Sequence, residues 1–206
     1  MNISKFQIKV VADNKEKGNS YRENLKRFNK ANTSEFYLEC LWILYAMLED
    51  RTSSLLYYLG FTSNRNRNSA TGSKKIKKEI RQIFNMVDSN AKYKFDTISG
   101  KLTRIEEFIS WGTQAGSNVT DYQNAVRTVA LKIDSDTRLR KKLEYLNNEW
   151  RDKRNQLTHS LFNKDPSTVS IELKNMVEQG YAAVRILDNA VAQLKKEKIR
   201  DRFKIQ

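Results

Sequence analysis

The stretch 34-SEFYLECLWILYAMLEDRTSSLLYYLG-60 decides the fold of this chain. Its apolar side chains recur at steps of three and four residues, the spacing of neighbours on a helix surface. They are Leu38, Leu41, Trp42, Tyr45, Leu48, Leu55, Leu56 and Leu59. Thr33 or Ser34 suits the N-cap, and Gly60 suits the C-terminal stop. Because apolar residues cover most of the circumference, we predict one long helix at the centre of the core.

Amphipathic patterns on both sides of this stretch predict further helices. They cover residues 13–33, 74–89, 101–114, 121–132, 137–162 and 167–198, with Asp121 and either Asp134 or Asp136 as N-caps. Scarce glycine and a single proline, Pro166, favour long helices over many short strands. The segment 3-ISKFQIKVV-11 fits either a short strand or an arm. We therefore predict an all-α helical bundle of about five to six helices.

The domain organisation follows from the same pattern. Residues 1–33 are expected to form an N-terminal arm or short helix, and residues 34–200 a single helical domain. A flexible basic loop, 62-TSNRNRNSATGSKK-75, interrupts that domain, and Arg65 and Arg67 alternate with asparagines in it. The loop is either a solvated surface excursion or a flap that contacts phosphate.

The charge balance points to polyanionic partners. Lys and Arg number 38 against 24 Asp and Glu, which gives a formal net charge of +14. Such a field attracts nucleic acid first and a membrane surface second, and a basic face without a specific ligand is the third interpretation. The longest apolar stretch, 36-FYLECLWILYAML-48, is shorter than the ~20 residues that span a bilayer. We expect a soluble, cytoplasmic protein that does not insert into a membrane.

The cysteine and histidine counts limit disulfide and metal chemistry. Cys40 is the only cysteine and lies in an apolar run, so we expect a buried small hydrophobe in a reducing compartment. One Cys and the single His159 cannot supply the four ligands of a structural zinc site. We expect no metal and no cofactor.

A second stretch, 150-WRDKRNQLTHSLFN-163, carries the candidate site. The apolar stripe of its helix runs through Leu143, Leu146 and Trp150 and resumes at Leu157, which leaves a gap at 153–154. Arg154 therefore occupies a place where a core or interface residue is expected. A guanidinium there is costly unless it meets an anion or a partner.

The spacing of Arg154, Asn155 and His159 constrains how they can cooperate. Asn155 and His159 share a helix face, whereas Arg154 and His159 lie about 140° apart around a regular helix. One helix cannot bring both onto one phosphate unless it unwinds near residue 158. Two copies packed about a two-fold axis can form a composite site. In the plainer alternative, His159 is a cation placed against the dipole at a helix C-terminus.

The motif 154-RNQLTH-159, an arginine, a polar residue, three further residues and a histidine on a late helix, resembles the HEPN superfamily of ribonucleases and nucleotide-binding domains. It is most similar to the stand-alone toxins and phage-defence (abortive-infection) proteins of that superfamily. Leu161 stands where the nucleotidyltransferase-paired toxins have a tyrosine. The resemblance implies a homodimeric, metal-independent endoribonuclease. Its RNA 2′-hydroxyl attacks the adjacent phosphorus and leaves a 2′,3′-cyclic phosphate and a 5′-hydroxyl.

The resemblance also implies the catalytic roles. Arg154 would contact the non-bridging oxygens of the phosphate, and Asn155 would position the phosphate or the imidazole. His159 would transfer protons, since an unperturbed imidazole titrates near neutrality.

Other residues are expected to support this site. Arg151 and Lys153 beside the motif, together with Arg65 and Arg67, would add contacts to the RNA backbone. Glu49 and Asp50 break the apolar pattern of the central helix, and they either orient the site from behind or form ion pairs at the surface.

Two other functions stay open at this point. The same fold could bind RNA or a nucleotide without cutting it, as a non-catalytic HEPN-type module. It could also be an adaptor or structural bundle in which the Arg and His are incidental. A toxin would further require a neutralising partner, either a protein antitoxin or a small RNA.

Overall fold

The computed structural model describes residues 14–62, 74–85, 95, 97–159, 163 and 165–205. Their regular structure is helical, which confirms the prediction of an all-α bundle. The helices are α1 (Asn14–Thr33), α2 (Tyr37–Tyr58), α3 (Lys74–Ile83), α4 (Ile98–Gln114), α5 (Asp121–Ser135), α6 (Thr137–Tyr145), α7 (Arg151–His159), α8 (Pro166–Lys196) and α9 (Ile199–Arg202). A π-helical turn, Leu146–Trp150, joins α6 to α7. The strand or arm predicted at 3–11 and most of the loop predicted at 62–75 lie outside the described residues.

Helix α2 is the central helix, as its apolar circumference predicts, and it runs parallel to α8. Leu44 meets α8 at Gly180, and one to two turns later Arg51 meets Asp188 with 3.1 Å between Nη1 and Oδ1. A Cβ at Gly180 would lie 3.2 Å from Leu44 Cδ1 and 3.1 Å from Trp150 Nε1. The glycine therefore lets α2, α8 and the π turn approach one another closely.

Helix α1 folds back antiparallel onto α2 and α8. The Phe28 ring stacks on that of Tyr181 at 4.9 Å between centroids, and the Tyr21 hydroxyl donates to the carboxylate of Asp188 at 2.9 and 3.0 Å. Cys40 is buried, as predicted, and its Sγ donates to the carbonyl of Phe28 at 3.8 Å. These contacts join α1 to the core of the bundle.

The other side of the bundle is built on the α4–α5 hairpin. A Cβ at Gly112 of α4 would lie only 2.3 Å from the Cβ of Ala130 of α5, so the two helices cross at their small residues. Arg127 Nε donates to the carbonyl of Gly112 at 3.2 Å. Helix α3 packs on α5 through buried isoleucines, namely Ile76, Ile80 and Ile83.

Of the three N-caps that the sequence predicts, one is confirmed and two differ. Asp136 caps α6, accepting at 3.1 Å from the backbone N–H groups of Arg138 and Leu139, so this prediction is confirmed. Thr120 rather than Asp121 caps α5, in a capping box with Gln123. Asp121 is already the first helical residue, where its charge faces the helix dipole.

The start of α2 is the second difference. Thr33 is the last residue of α1, and its hydroxyl donates back to the carbonyl of Asn29 at 3.0 Å. The chain turns at Glu35, whose φ is 59°, and α2 begins after Phe36, which makes no capping hydrogen bond through its side chain. The predicted cap at Thr33 or Ser34 is wrong because Thr33 belongs to α1 and the turn at Glu35 delays the start of α2 to Tyr37.

Candidate functional site

The candidate motif lies on α7, which follows directly on the π turn. Leu146 and Trp150 of this turn are buried, and the Trp150 indole donates to the carbonyl of Met176 at 3.0 Å. Asn147 Nδ2 donates to Glu106 Oε2 of α4 at 2.9 Å. A π turn fits an extra residue into a helix and is frequent at functional sites. Here it places Trp150 against Gly180 and sets the direction from which α7 leaves the core.

Arg154 lies half-buried between α7 and α2. Its guanidinium carbon is 4.1 Å from the centroid of the Tyr45 ring, within the range of a cation–π contact. Its Nε and Nη2 donate to Oδ1 of Asn155 at 3.2 and 2.5 Å. The sequence indicates that a guanidinium at this position needs a partner. The side chains of Tyr45 and Asn155 are two such partners.

The predicted triad is only partly within the described residues. Arg154 and Asn155 contact each other directly, whereas only the backbone of His159 is described, as the last residue of α7. Its side chain lies outside the described part of the structure. The helix continues through residue 159, so the chain does not unwind near 158. Positions 154 and 159 of one copy therefore keep the separation of about 140° that a regular helix imposes.

The two basic residues beside the motif are paired with nearby acids. Arg151 lies 2.9 Å from Asp152, measured from Nε to Oδ1, and its Nη1 donates to Ser99 Oγ at 2.5 Å. Lys153 Nζ lies 3.4 Å from Glu149 Oε2. Their roles in RNA binding stay predictions, and the acids offset much of their charge. Arg65 and Arg67 lie outside the described residues.

Glu49 and Asp50 point to different parts of the bundle. Glu49 lies one turn after Tyr45 on α2, and its Oε1 is 3.0 Å from Nζ of Lys101, which is only 1% exposed. Asp50 pairs with Arg51, which also reaches Asp188. Glu49 is thus on the side of α2 that carries Arg154, while Asp50 belongs to the contact between α1, α2 and α8. Their support of the site stays a prediction.

The Arg51 cluster is an electrostatic clamp between helices. Burial raises the pKa of Tyr21, and the neighbouring Asp188 carboxylate raises it further. Burial alone would lower the pKa of Arg51, but Asp50 and the other anionic neighbours outweigh it and raise that pKa. The guanidinium of Arg51 also lies 4.2 Å from the Tyr21 ring centroid. Tyr21 therefore stays protonated and Arg51 charged, and together they tie α1 to the core.

Trp42 is exposed, contrary to its predicted place in the core stripe. It is 61% exposed, and Phe36 at the start of α2 is 62% exposed. Phe36 and Leu38 also line a groove of about 360 Å³ between the starts of α2 and α8. We call Phe36, Leu38 and Trp42 the α2 apolar surface. Its last residue, Trp42, lies one turn before Tyr45 on α2.

Two contributors to this site were missed at the level of sequence. Tyr45 was assigned to the core, although an aromatic residue on the same helix face as a charged Glu49 is a signal for a polar neighbour. Lys101 was not singled out, since a lysine inside an amphipathic helix gives no local sign of burial. Both meet their partners across long stretches of chain.

No protein-family model, no curated protein and no solved structure matches the chain. Among the described residues, no helix is long and apolar enough to cross a membrane. Within the same ranges, no group of three or more His, Cys, Asp or Glu side chains could hold a metal ion.

Proposed function

We propose that this chain is a metal-independent endoribonuclease of a toxin or phage-defence system, and that it acts as a homodimer. One observation carries the proposal, namely the arrangement of Arg154 on Tyr45 with Asn155 at its edge. A guanidinium fixed on an aromatic face loses little freedom when it binds an anion. The motif 154-RNQLTH-159 and the net charge of +14 agree with an RNA substrate.

Arg154 and Asn155 bind the scissile phosphate in this proposal. Asn155 Oδ1 accepts from the Nε–Nη2 edge, which is the edge that an arginine uses to fork onto two phosphate oxygens. In the complex, the non-bridging oxygens take the place of Oδ1 on this edge. The carboxamide then turns its N–H groups toward the same phosphate. The charge that builds up on these oxygens in the transition state is stabilised by donors already in place.

His159 carries the proton transfers in this mechanism. The RNA 2′-oxygen attacks the neighbouring phosphorus and loses its proton to an imidazole. The bond from phosphorus to the 5′-oxygen breaks, and that oxygen takes a proton from the imidazolium. The products are a 2′,3′-cyclic phosphate and a 5′-hydroxyl, with no external nucleophile consumed.

The separation of Arg154 and His159 is the argument for two copies. Because α7 is regular through residue 159, the proposed site pairs the arginine of one copy with the histidine of another. The α2 apolar surface supports this arrangement, because clustered exposed apolar side chains are typical of protein contacts and its Trp42 lies one turn before Tyr45, on which Arg154 rests. In the proposed dimer, the α7 helices of the two copies meet beside this surface.

An RNase assay in EDTA tests the proposal. Wild-type protein should cut a labelled RNA and leave a 2′,3′-cyclic phosphate, and Arg154→Ala and His159→Ala should each lower the rate by about 100-fold or more. Arg22→Ala is the matched control, because Arg22 is exposed and its Nη2 also donates to an asparagine, Asn19 Oδ1, at 2.5 Å. Equal activity in wild type and both site variants would refute the assignment. Salt-dependent RNA binding without turnover would support the non-catalytic module instead.

Subunit complementation tests the composite site. In an equimolar mixture of Arg154→Ala and His159→Ala proteins, about half of the dimers are mixed, and each mixed dimer retains one intact pair. The mixture should recover about a quarter of the wild-type activity, although each variant alone is inactive. A mixture that stays inactive after subunit exchange would mean that Arg154 and His159 of the same copy act together, and it would contradict the composite site.

A further inference from the structure

Helix α3 presents a dense group of exposed lysines. Its sequence is 74-KKIKKEIRQI-83, and Lys74, Lys75, Lys77 and Lys78 are all exposed. At 100° per residue these four positions span an arc of about 160°. The buried isoleucines of the same helix lie on the opposite side. The lysines therefore form one continuous patch, which we call the α3 lysine patch.

The α3 lysine patch is not neutralised by acids. Elsewhere on the surface, lysines pair with carboxylates, as in Lys26–Glu23 at 2.8 Å and Lys132–Glu197 at 2.6 Å. In the described part of the chain, none of the four α3 lysines forms an ion pair. The one acidic residue of α3, Glu79, is buried, and its carboxylate oxygens have no hydrogen-bond partner among the described residues. Four positive charges thus face solvent together.

The position of these charges does not stabilise the helix. Lys74, Lys75 and Lys77 lie in the first turn of α3, which has no acidic residue. The N-terminal end of a helix carries a partial positive charge, so cations there are unfavourable. The patch disfavours its own helix in the free protein, and a bound polyanion would remove that repulsion.

Nucleic acid fits this patch better than a membrane does. A helix that binds a bilayer inserts its apolar face between the lipids. The apolar face of α3 is buried in the protein, where Ile80 and Ile83 are at most 2% exposed. Only the charged face is available, and it matches a chain of phosphates.

We propose that the α3 lysine patch is a docking site for the RNA phosphate backbone, separate from the proposed catalytic site at Arg154. This inference rests on the proposed function only in naming RNA as the polyanion. It moves the main backbone contact away from Arg151 and Lys153, whose charges are offset by Asp152 and Glu149. In this proposal the α3 lysine patch binds the substrate strand, and Arg154, Asn155 and His159 cleave it.

A salt titration with a matched charge control tests the docking site. The patch variant is Lys74→Gln/Lys75→Gln/Lys77→Gln/Lys78→Gln. The control variant also removes four positive charges, but from residues that have hydrogen-bonded partners: Lys26→Gln/Arg27→Gln/Lys132→Gln/Lys142→Gln. Binding is measured by fluorescence anisotropy with a labelled 2′-O-methyl RNA, which lacks the attacking hydroxyl. Salt is varied between 50 and 300 mM, and circular dichroism verifies the fold of both variants.

The expected result is a change in the salt slope for the patch variant alone. The slope of log K against log salt is negative, and each lost phosphate contact on a single strand makes it about 0.7 less steep. The loss of four contacts therefore makes it about 3 less steep. Affinity at the lowest salt should fall at least tenfold, against less than twofold for the control. An equal loss of RNA affinity in both variants would mean that only net charge matters, and it would contradict the docking site. An unchanged salt slope in the patch variant would also refute the docking site.

Two further measurements separate this inference from the proposed catalysis. Arg154→Ala removes one phosphate contact, so the magnitude of its salt slope should fall by only about 0.7, against about 3 for the patch variant. The patch variant should cleave a dinucleotide at the wild-type rate, because the single phosphate of that substrate is bound at Arg154 and none is left for α3. If no RNA is cut under any condition, the salt slope of RNA binding still tests the docking site, because binding is measured without cleavage. If the patch variant loses binding to phosphatidylserine vesicles but keeps its RNA slope, the surface is a membrane site and the inference fails.

Discussion

The guanidinium of Arg154 lies 4.1 Å from the ring centroid of Tyr45, so a residue of the late α7 rests on the central helix α2. We expect Tyr45→Leu to lower RNA cleavage about fivefold or more, because a cation–π contact of about 1 kcal/mol or more orients the arginine. Tyr45→Phe keeps the aromatic face and should retain most of the activity. The measurement is the single-turnover cleavage rate in EDTA. Equal losses in both variants would mean that the hydroxyl, rather than the ring, matters.

Trp42 should control dimerisation if the α2 apolar surface is the contact between copies. A charge at the centre of such an interface costs at least about 2 kcal/mol, so Trp42→Glu should raise the dimer dissociation constant about 30-fold or more. Ile171→Glu is the control, since Ile171 is similarly exposed but lies on α8 and is not part of the α2 apolar surface. Analytical ultracentrifugation measures both constants. A wild-type protein that is active as a monomer at micromolar concentration would contradict the dimer.

The Lys101–Glu49 pair should contribute to stability. Lys101→Met removes one partner of a pair that is largely withdrawn from water, and we expect a loss of about 2–3 kcal/mol in the free energy of unfolding. In the double variant Lys101→Met/Glu49→Gln no carboxylate is left opposite an apolar side chain. Its loss should therefore be smaller than the sum of the two single losses. Urea denaturation of all four proteins gives the coupling, and strict additivity would show that the pair does not act as a unit.

Gly112 should not tolerate a methyl group. Because its added Cβ would lie 2.3 Å from the Cβ of Ala130, Gly112→Ala should force α4 and α5 apart and cost about 2 kcal/mol. Gly116→Ala is the matched control, since nothing lies within 4 Å of a Cβ there. Thermal denaturation compares the two. A Gly112→Ala protein as stable as the wild type would mean that the helix crossing adjusts freely.

The bundle itself could be predicted from the sequence because helix periodicity is a local signal. The apolar circumference of 34–60 identified the central helix, and Asp136 was recognised as a cap. The errors arose where local signals compete. Thr33 is a good N-cap by type, but its hydroxyl bonds back into α1. Trp42 fits the apolar stripe, but the stripe covers more of the helix than its neighbours can bury.

The site was predicted less completely, because its contacts join distant parts of the chain. The gap in the apolar stripe at Arg154 revealed that a partner was needed, yet no local pattern named Tyr45 as that partner. The π turn at 146–150 also left no clear periodic trace, since one displaced residue is within the scatter of an apolar stripe. The pairing of Arg151 and Lys153 with acids depends on rotamers that spacing alone does not fix.

The parallel pairing of α2 with α8 has a consequence for biosynthesis. The bonded residues Arg51 and Asp188 are 137 positions apart, so translation at about 5–20 residues per second delays their meeting by on the order of ten seconds. Throughout that interval the nascent α2, apolar around most of its circumference, waits without its largest partner. A chain that ends before residue 166 lacks α8 altogether, so we expect such a fragment to leave α2 exposed and to depend on chaperones to stay unaggregated.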